Sequence, residues 1–277
     1  MNCDLTIVQK DVAHALSEDV GSGDITASLL PANVELKAKV ISREPCVVAG
    51  QPWFDAVFHA VHPEINIKWL VDEGVYQSQP TTLCELSGEG RAILTAERTA
   101  LNFLQTLSAT ATQTYHYCQR IKQYPTKLLD TRKTLPGLRY AQKYAVKMGG
   151  GVNHRFGLYD ALLIKENHIK ACGSITAAIH QGRSYYQGVF LEVEVETLDE
   201  LQEALLAKPD RILLDNFSLV DLEKAAVMNK DHGCMLEASG GVSLETIASI
   251  AATGVDFISV GAITKSIQAI DLSLLVI

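Results

Sequence analysis

In the second half of the chain, charged residues recur at the ends of short apolar runs, and their types suggest anion chemistry. The run KLLD ends in Asp130 and is followed by Arg132 and Lys133, and ALLIKENH supplies Lys165, Asn167 and His168. VFLEVEVE carries Glu192, Glu194 and Glu196, and RILLDNF carries Asp215 and Asn216. CMLEASGG contributes Glu237, Ser239 and Gly240, and VDFISVGAIT contributes Ser259 and Gly261. Residues 130–170 hold eight Lys/Arg and three Asp/Glu, a local +5 in a chain whose 24 basic and 32 acidic residues give −8. An anionic small molecule suits such a patch, because guanidinium groups bind carboxylate and phosphate through paired hydrogen bonds. The overall acidity argues against broad binding to nucleic acid or to an acidic membrane.

These candidates differ in weight. Arg139, Lys143 and Lys147 repeat every four residues opposite an apolar stripe, which reads as a solvated helix face. Arg132 and Lys133 lie outside that helix, and Arg155 follows the glycine-rich turn GGGVNHR beside His154, so these are the stronger anion binders. His154 and His168 singly read as structural histidines, with His154 raised by its neighbour. Glu192, Glu194 and Glu196 share one strand face by the two-residue period. In a sheet covered on both sides, acids there are costly unless paired with cations or a metal. Glu194 with Asp215 suits Mg²⁺ or, equally, sugar hydroxyls. The turns ASGGV and SVGAIT offer backbone N–H groups to a phosphate. Lys165 suits either a Schiff base, were its amine deprotonated, or a charged contact to a carboxylate.

From about residue 128 six βα-type units follow one another, with helical periodicity at Ala141, Tyr144, Ala145 and Met148, and again over 198–207, 219–228 and 243–253. This predicts a parallel sheet with helical crossovers. A complete eight-unit barrel takes roughly 250 residues, so a shortened or open barrel fits this stretch, with an open doubly wound sheet as the rival. The first hundred residues read as a separate α+β domain, with strands in KAKVISREPCVVAG, INIKWLVDEG and TTLCELSGEGRAILT. A long amphipathic helix follows, with Thr95 as its expected N-cap and Leu101, Leu104, Leu107 and Ala111 on one face. The tail DLSLLVI is apolar enough to dock as a strand. With 277 residues, 47% of them hydrophobic, the chain can bury a sizeable core. The six cysteines are scattered without metal-ligand spacing and read as reduced thiols. The opening MNCDLTIVQKD lacks a secretory pattern, and no apolar run approaches the roughly 20 residues a membrane span needs, so the expected compartment is the cytoplasm.

The stretch DTRKTLPGLRYAQKYAVKMGGGVNHRFGLYDALLIKENHI resembles the quinolinate phosphoribosyltransferase family, the carboxylating nicotinate-nucleotide pyrophosphorylases. EDVGSGDIT, AERTALNFLQTLSATAT, EVEVET, LLDN, EASGGV and SVGAIT carry the same likeness in order along nearly the whole chain. The resemblance implies an N-terminal α/β sandwich over residues 1–112, with the tail 268–277 packing back on it, and an incomplete, six-to-seven-stranded α/β barrel over 113–267. It implies a homodimer or larger assembly joining quinolinate to 5-phosphoribosyl-1-pyrophosphate with Mg²⁺, giving nicotinate mononucleotide, pyrophosphate and CO₂ for NAD synthesis. Carried over by matching position, Arg132, His154, Arg155 and Lys165 would hold the quinolinate carboxylates, with Arg98 entering from the neighbouring subunit. Lys133 would meet pyrophosphate oxygens, and Ser239, Gly240 and Gly261 would cradle the 5′-phosphate. Glu194 and Asp215 would face the ribose and Mg²⁺, so that Lys165, Glu194 and Asp215 form the catalytic set. Lys265 stands where the family often has His or Gln, and Ala109 where Gly is common. A paralogue linked to molybdate transport, a Schiff-base lyase using Lys165 and a non-enzymatic metabolite-binding protein are the alternatives.

Overall fold

The computed structural model describes residues 3–277, so Met1 and Asn2 of the opening segment lie outside the described range. In chain order the helices are α1 Leu5–Asp19, α2 Gln51–Val61, α3 Gly90–Ile121, α4 Arg139–Met148, α5 Glu166–Cys172, α6 Ile175–Tyr185, α7 Leu198–Ala207, α8 Leu219–Met228, α9 Ile247–Ala252 and α10 Ala262–Lys265. The strands are β1 Glu35–Ser42, β2 Cys46–Val47, β3 Asn66–Trp69, β4 Tyr76–Gln77, β5 Thr81–Glu89, β6 Lys127–Leu129, β7 Leu162–Ile164, β8 Leu191–Val195, β9 Arg211–Asp215, β10 Met235–Ser239, β11 Phe257–Ser259 and β12 Leu272–Val276. They form two compact units, the first comprising, of the described residues, 3–115, 134–150 and 263–277, the second 116–133 and 151–262.

In the first unit an antiparallel sheet has the order β12-β1-β5-β3. Its Ala38, Val40, Cys84 and Leu86 share a core with Trp53, Phe54, Val57 and Phe58 of α2 and with Leu101, Leu104 and Leu107 of α3. Both α1 and α2 are regular helices in a region whose sequence reads as strands and loops. Each is short, but its buried residues fall at helical spacing, Val8 and Val12 in α1 and Trp53, Phe54, Val57 and Phe58 in α2.

Three further readings are corrected. The segment GRAILT continues no strand: it opens the 32-residue α3, because Ile93, Ala96 and Ala100 already bury at helical spacing. Thr95 therefore lies inside the helix rather than at its cap, and its hydroxyl donates to Asp24 at 2.9 Å. Lys143, read as solvated, is fully buried with its neighbours Gln142 and Tyr144, since α4 is covered on more than its apolar stripe. Ala141, Tyr144 and Ala145 of that helix bury in the first unit's core. The chain end joins the same unit through the antiparallel pairing of β12 with β1.

The second unit is an α/β unit built on one six-stranded parallel sheet of order β6-β11-β10-β9-β8-β7. The end strands β6 and β7 do not pair, so the barrel stays open. Continuous apolar runs such as Ile212, Leu213 and Leu214 suit strands covered on both faces. Helices between the strands begin at residues that supply an oxygen to the first free N–H groups: Ser174 accepts from Ala177 N–H, Thr197 from Glu200 and Ser218 from Asp221. Register aligns the carboxyl ends of the strands, with Ser239 opposite Asp215 and Ser259 opposite Leu129. The six cysteines are free thiols, and among the described residues no helix is long and apolar enough to cross a membrane.

Candidate active site

At the carboxyl ends of these strands lies a cavity of about 280 Å³. Arg132, Lys133, His154, Arg155, Lys165, Glu194, Asp215 and Ser239 line it, together with Thr131, Glu237 and Ser259. Gly261 adjoins this wall, since a Cβ there would lie 3.0 Å from the Lys133 side chain. The first unit has larger depressions of about 470 and 540 Å³, and Arg98 lines the former with Asp19, Asp24 and Thr95. Chemistry is assigned to the smaller cavity because cations and carboxylates of the second unit converge there. Arg98 is the one candidate that this unit does not itself contain.

The cationic wall is built by a loop tied to β6. Asp130, fully buried at the end of that strand, accepts the His154 backbone N–H at 2.8 Å and the Asn153 amide at 2.7 Å. Asp160 accepts from Phe156 and Gly157 N–H at 2.7 and 2.9 Å, closing the turn after Arg155. Burial and, next, the positive charge of Arg132 lower the Arg155 pKa from its usual value. Two guanidinium groups that repel one another in one cavity are both relieved by an anion. Lys165, following β7, pairs through its ammonium with the Glu194 carboxylate. That ion pair suits a charge contact rather than an amine presented for Schiff-base formation.

The glutamate stripe resolves by depth. Glu196 is exposed beyond the strand, Glu194 opens onto the cavity, and Glu192 is buried beneath it. The cation that makes Glu192 tolerable is Arg211, a residue that sequence patterns pass over because it begins a strand and looks like a surface terminus. The residue is 7% exposed, and its guanidinium donates from Nε to Glu192 Oε1 at 2.8 Å and from Nη2 to Oε2 at 3.1 Å. Phe190 and Phe257 flank it with ring centroids 5.2 and 5.3 Å away. Burial alone would raise Glu192, but hydrogen bonds from His154 and Arg211 outweigh it and hold the carboxyl down to about 2. Glu237, 3.1 Å from Arg211 Nε, goes the other way: burial first, then the charge of Glu192, push it well above the carboxylate range. One guanidinium thus bonds one of the two buried acids through its fork, and the other has its carboxyl pushed upward by burial and by the first acid's charge.

Behind the cavity lining, Asn216 joins two of its residues, Asp215 and Ser239. It holds a left-handed backbone at φ 56°, its N–H donates to Ser239 O at 2.9 Å, and its amide donates to Asp215 Oδ2 at 2.9 Å. Gly240 has φ 100°, and a Cβ there would fall 2.1 Å from Asn216 Oδ1, so glycine is required.

Profile comparison matches residues 24–108 to the quinolinate phosphoribosyl transferase N-terminal domain and residues 110–275 to its C-terminal domain. The chain belongs to the quinolinate phosphoribosyltransferase family. A nicotinate-nucleotide pyrophosphorylase structure from Francisella tularensis is 48% identical with a TM-score of 0.97, covering 100% of this chain and 98% of that one. The carboxylating nicotinate-nucleotide pyrophosphorylase of Mycobacterium leprae is 39% identical over 99% of this chain and 98% of its own length. A probable carboxylating enzyme of that name from Synechocystis is 40% identical over 95% and 90%. Membership extends over both units.

Proposed function

We propose that this family member transfers the phosphoribosyl group of 5-phosphoribosyl-1-pyrophosphate to the ring nitrogen of quinolinate, with loss of CO₂, to give nicotinate mononucleotide and pyrophosphate for NAD synthesis. The observation that carries this reading is the single cavity in which Arg132, Arg155 and Lys165 share walls with Glu194 and Asp215. A pyridine dicarboxylate needs cations at two points, a ribose that develops positive charge needs carboxylates, and one cavity supplies both.

In the proposed reaction Arg132, Arg155 and Lys165 hold the two quinolinate carboxylates, with His154 supporting the loop beside them. This clamp aims the pyridine nitrogen at the anomeric carbon, a gain from positioning rather than from a covalent nucleophile. The bond from C1 to the pyrophosphate oxygen breaks with its electron pair leaving on pyrophosphate, and Lys133 contacts that leaving group. Glu194 and Asp215 stabilise the oxocarbenium-like ribose, while Ser239, Gly240 and Gly261 hold the 5′-phosphate through backbone N–H groups. Once the nitrogen is alkylated, the pyridinium withdraws the electron pair of the bond between C2 and its carboxylate, CO₂ departs and C2 takes a proton. Glu194 and Asp215 also fit Mg²⁺, which takes a few hard carboxylate oxygens and retains water or substrate oxygens. When bound, Mg²⁺ supplies charge neutralisation to the departing pyrophosphate. Arg98 enters the site of a second copy, so that the working form is a homodimer or larger, in the cytoplasm; the six unpaired thiols are in keeping with a reducing compartment.

Purified protein supplied with quinolinate, 5-phosphoribosyl-1-pyrophosphate and Mg²⁺ is expected to release one CO₂ per nicotinate mononucleotide. Arg132→Ala is expected to abolish product while leaving the circular dichroism spectrum unchanged. Absence of nucleotide product from the folded wild-type protein would overturn the assignment.

A further inference from the structure

Arg211 lies outside the set of residues that meets substrate in the proposed reaction, and its burial is unusual for a charged strand-initial residue. Its fork is spent on Glu192, and Glu192 Oε2 is also 2.9 Å from His154 Nε2. On the other edge of the imidazole, Nδ1 accepts the backbone N–H of Arg155 at 2.7 Å. An acceptor at Nδ1 places the ring proton on Nε2, from where it donates to Glu192. Arg211 Nη2 is 3.0 Å from the same Nε2, so both donors converge on one carboxylate oxygen. Glu237 closes the group, 3.5 Å from Nε2 and 3.1 Å from Arg211 Nε. The three strands β8, β9 and β10 therefore meet beneath His154 in one buried unit, and the ring atom at its top holds the peptide that carries Arg155. His154, Glu192 and Glu237 also cluster closely enough to ligate a metal, but Arg211 already bonds Glu192 there and its Nε lies 3.1 Å from Glu237.

We infer that Arg211 is a positioning residue: acting through Glu192 it fixes His154 in the Nε2-protonated tautomer and thereby holds Arg155 in place at the carboxylate-binding wall. The inference rests on the proposed function only for the identity of the anion that Arg155 meets. A lysine at 211 retains the charge but offers a point donor in place of the planar fork, which a bidentate site does not tolerate as conservative. A leucine between Phe190 and Phe257 would pack, yet leaves Glu192 without its cation.

Three measurements test this. In Arg211→Lys the quinolinate KM is expected to rise by roughly ten- to a hundredfold, while the KM for 5-phosphoribosyl-1-pyrophosphate stays within about twofold. A purely structural role would instead lower the yield of active enzyme and leave both KM values alone, so a folded Arg211→Lys with unchanged quinolinate KM overturns the inference. Arg211→Leu with Glu192→Gln, which removes the buried charge while keeping an acceptor for His154, is expected to recover most of the lost quinolinate affinity relative to Arg211→Leu alone. No recovery in a folded double variant also overturns it. Should the Arg211 variants fail to fold, ¹⁵N spectra of the wild-type imidazoles decide: His154 protonated on Nε2 supports the inference, and protonation on Nδ1 sinks it. The spectra need no substrate, so they separate failure of this inference from failure of the proposed reaction, which would appear as an inactive wild-type protein.

Discussion

Gly240→Ala tests the turn that borders Asp215 through Asn216, and the structure provides its magnitude. The residue has φ 100°, where a side chain is strained by about 1–3 kcal/mol. The added Cβ would meet Asn216 Oδ1 at 2.1 Å, Asn216 Cγ at 2.7 Å and the Asn216 backbone nitrogen at 3.0 Å. Restoring an ordinary carbon to oxygen separation of about 3.3 Å requires Asn216 to move by roughly 1 Å. Asn216 cannot move alone, because its amide holds Asp215 and its N–H holds Ser239. A displacement of that size at a reacting centre costs up to about a hundredfold, so kcat/KM for 5-phosphoribosyl-1-pyrophosphate is expected to fall roughly ten- to a hundredfold. The quinolinate KM, set by Arg132, Arg155 and Lys165 in the proposed reaction, is expected to stay close to wild type. Adding Asn216→Gly removes the two side-chain contacts and leaves only the backbone nitrogen at 3.0 Å, and glycine accepts the φ of 56° at that position. The double variant is expected to regain the steric part of the lost stability but not the activity, because Asp215 then lacks its amide donor. Steady-state kinetics with each substrate varied in turn, alongside urea denaturation of both variants, make the comparison. Wild-type phosphoribosyl kinetics in a folded Gly240→Ala would refute the proposed coupling of Asp215 to the glycine turn.

Other consequences are as direct. Arg155→Lys, which loses the planar fork, is expected to raise the quinolinate KM by about ten- to a hundredfold in steady-state assays. Chelation of divalent metal is expected to stop turnover and Mg²⁺ to restore it, while calorimetry of Mg²⁺ with substrate is expected to weaken in Asp215→Asn. Glu192 has a folded pKa of about 2 against a usual 4.5, so the folded state binds fewer protons than the unfolded one between those values. Its contribution is therefore complete above about pH 4.5 and lost as pH falls toward 2. Denaturation at pH 5 and pH 3 is expected to show that loss, with a flatter limb in Glu192→Gln. Gly149→Ala would put a Cβ 2.3 Å from Ala111 O and 2.6 Å from Thr114 Cβ where α4 closes on α3, and is expected to cost about 2–4 kcal/mol in chemical denaturation.

Local chemistry made much of the site legible before any geometry. Residues that end parallel strands must gather at one rim, so apolar runs followed by Arg132, Lys165, Glu194, Asp215 and Ser239 pointed to one place, and the register of the sheet aligns them there. The six strands were readable for the same reason, each being apolar enough to be covered on both faces. The first unit was less so. Its helices α1 and α2 have short buried stripes, and the apolar GRAILT reads equally as a strand end or as the first turns of α3. Lys143 was misread because periodicity reports which face of a helix is apolar but not whether the other face meets solvent.

What sequence could not supply is the identity of partners across strands. Alternation placed Glu192 on the acidic face and required a cation or metal for it, but a strand-initial arginine on β9 carries no mark distinguishing it from a solvated terminus. Only the parallel pairing that sets Arg211 beside Glu192 makes it that cation. The same pairing explains why two buried acids coexist beneath a cationic pocket. Glu192 is held low by hydrogen bonds from His154 and Arg211, whereas burial and the Glu192 charge drive Glu237 upward, so the two acids are pushed apart and excess negative charge in the low-dielectric interior is disfavoured. The same buried group is joined to the loop above it, because Glu192 Oε2 lies 2.9 Å from His154 Nε2 while Nδ1 of that ring accepts the Arg155 N–H, so residues that never touch substrate hold the one that carries the guanidinium.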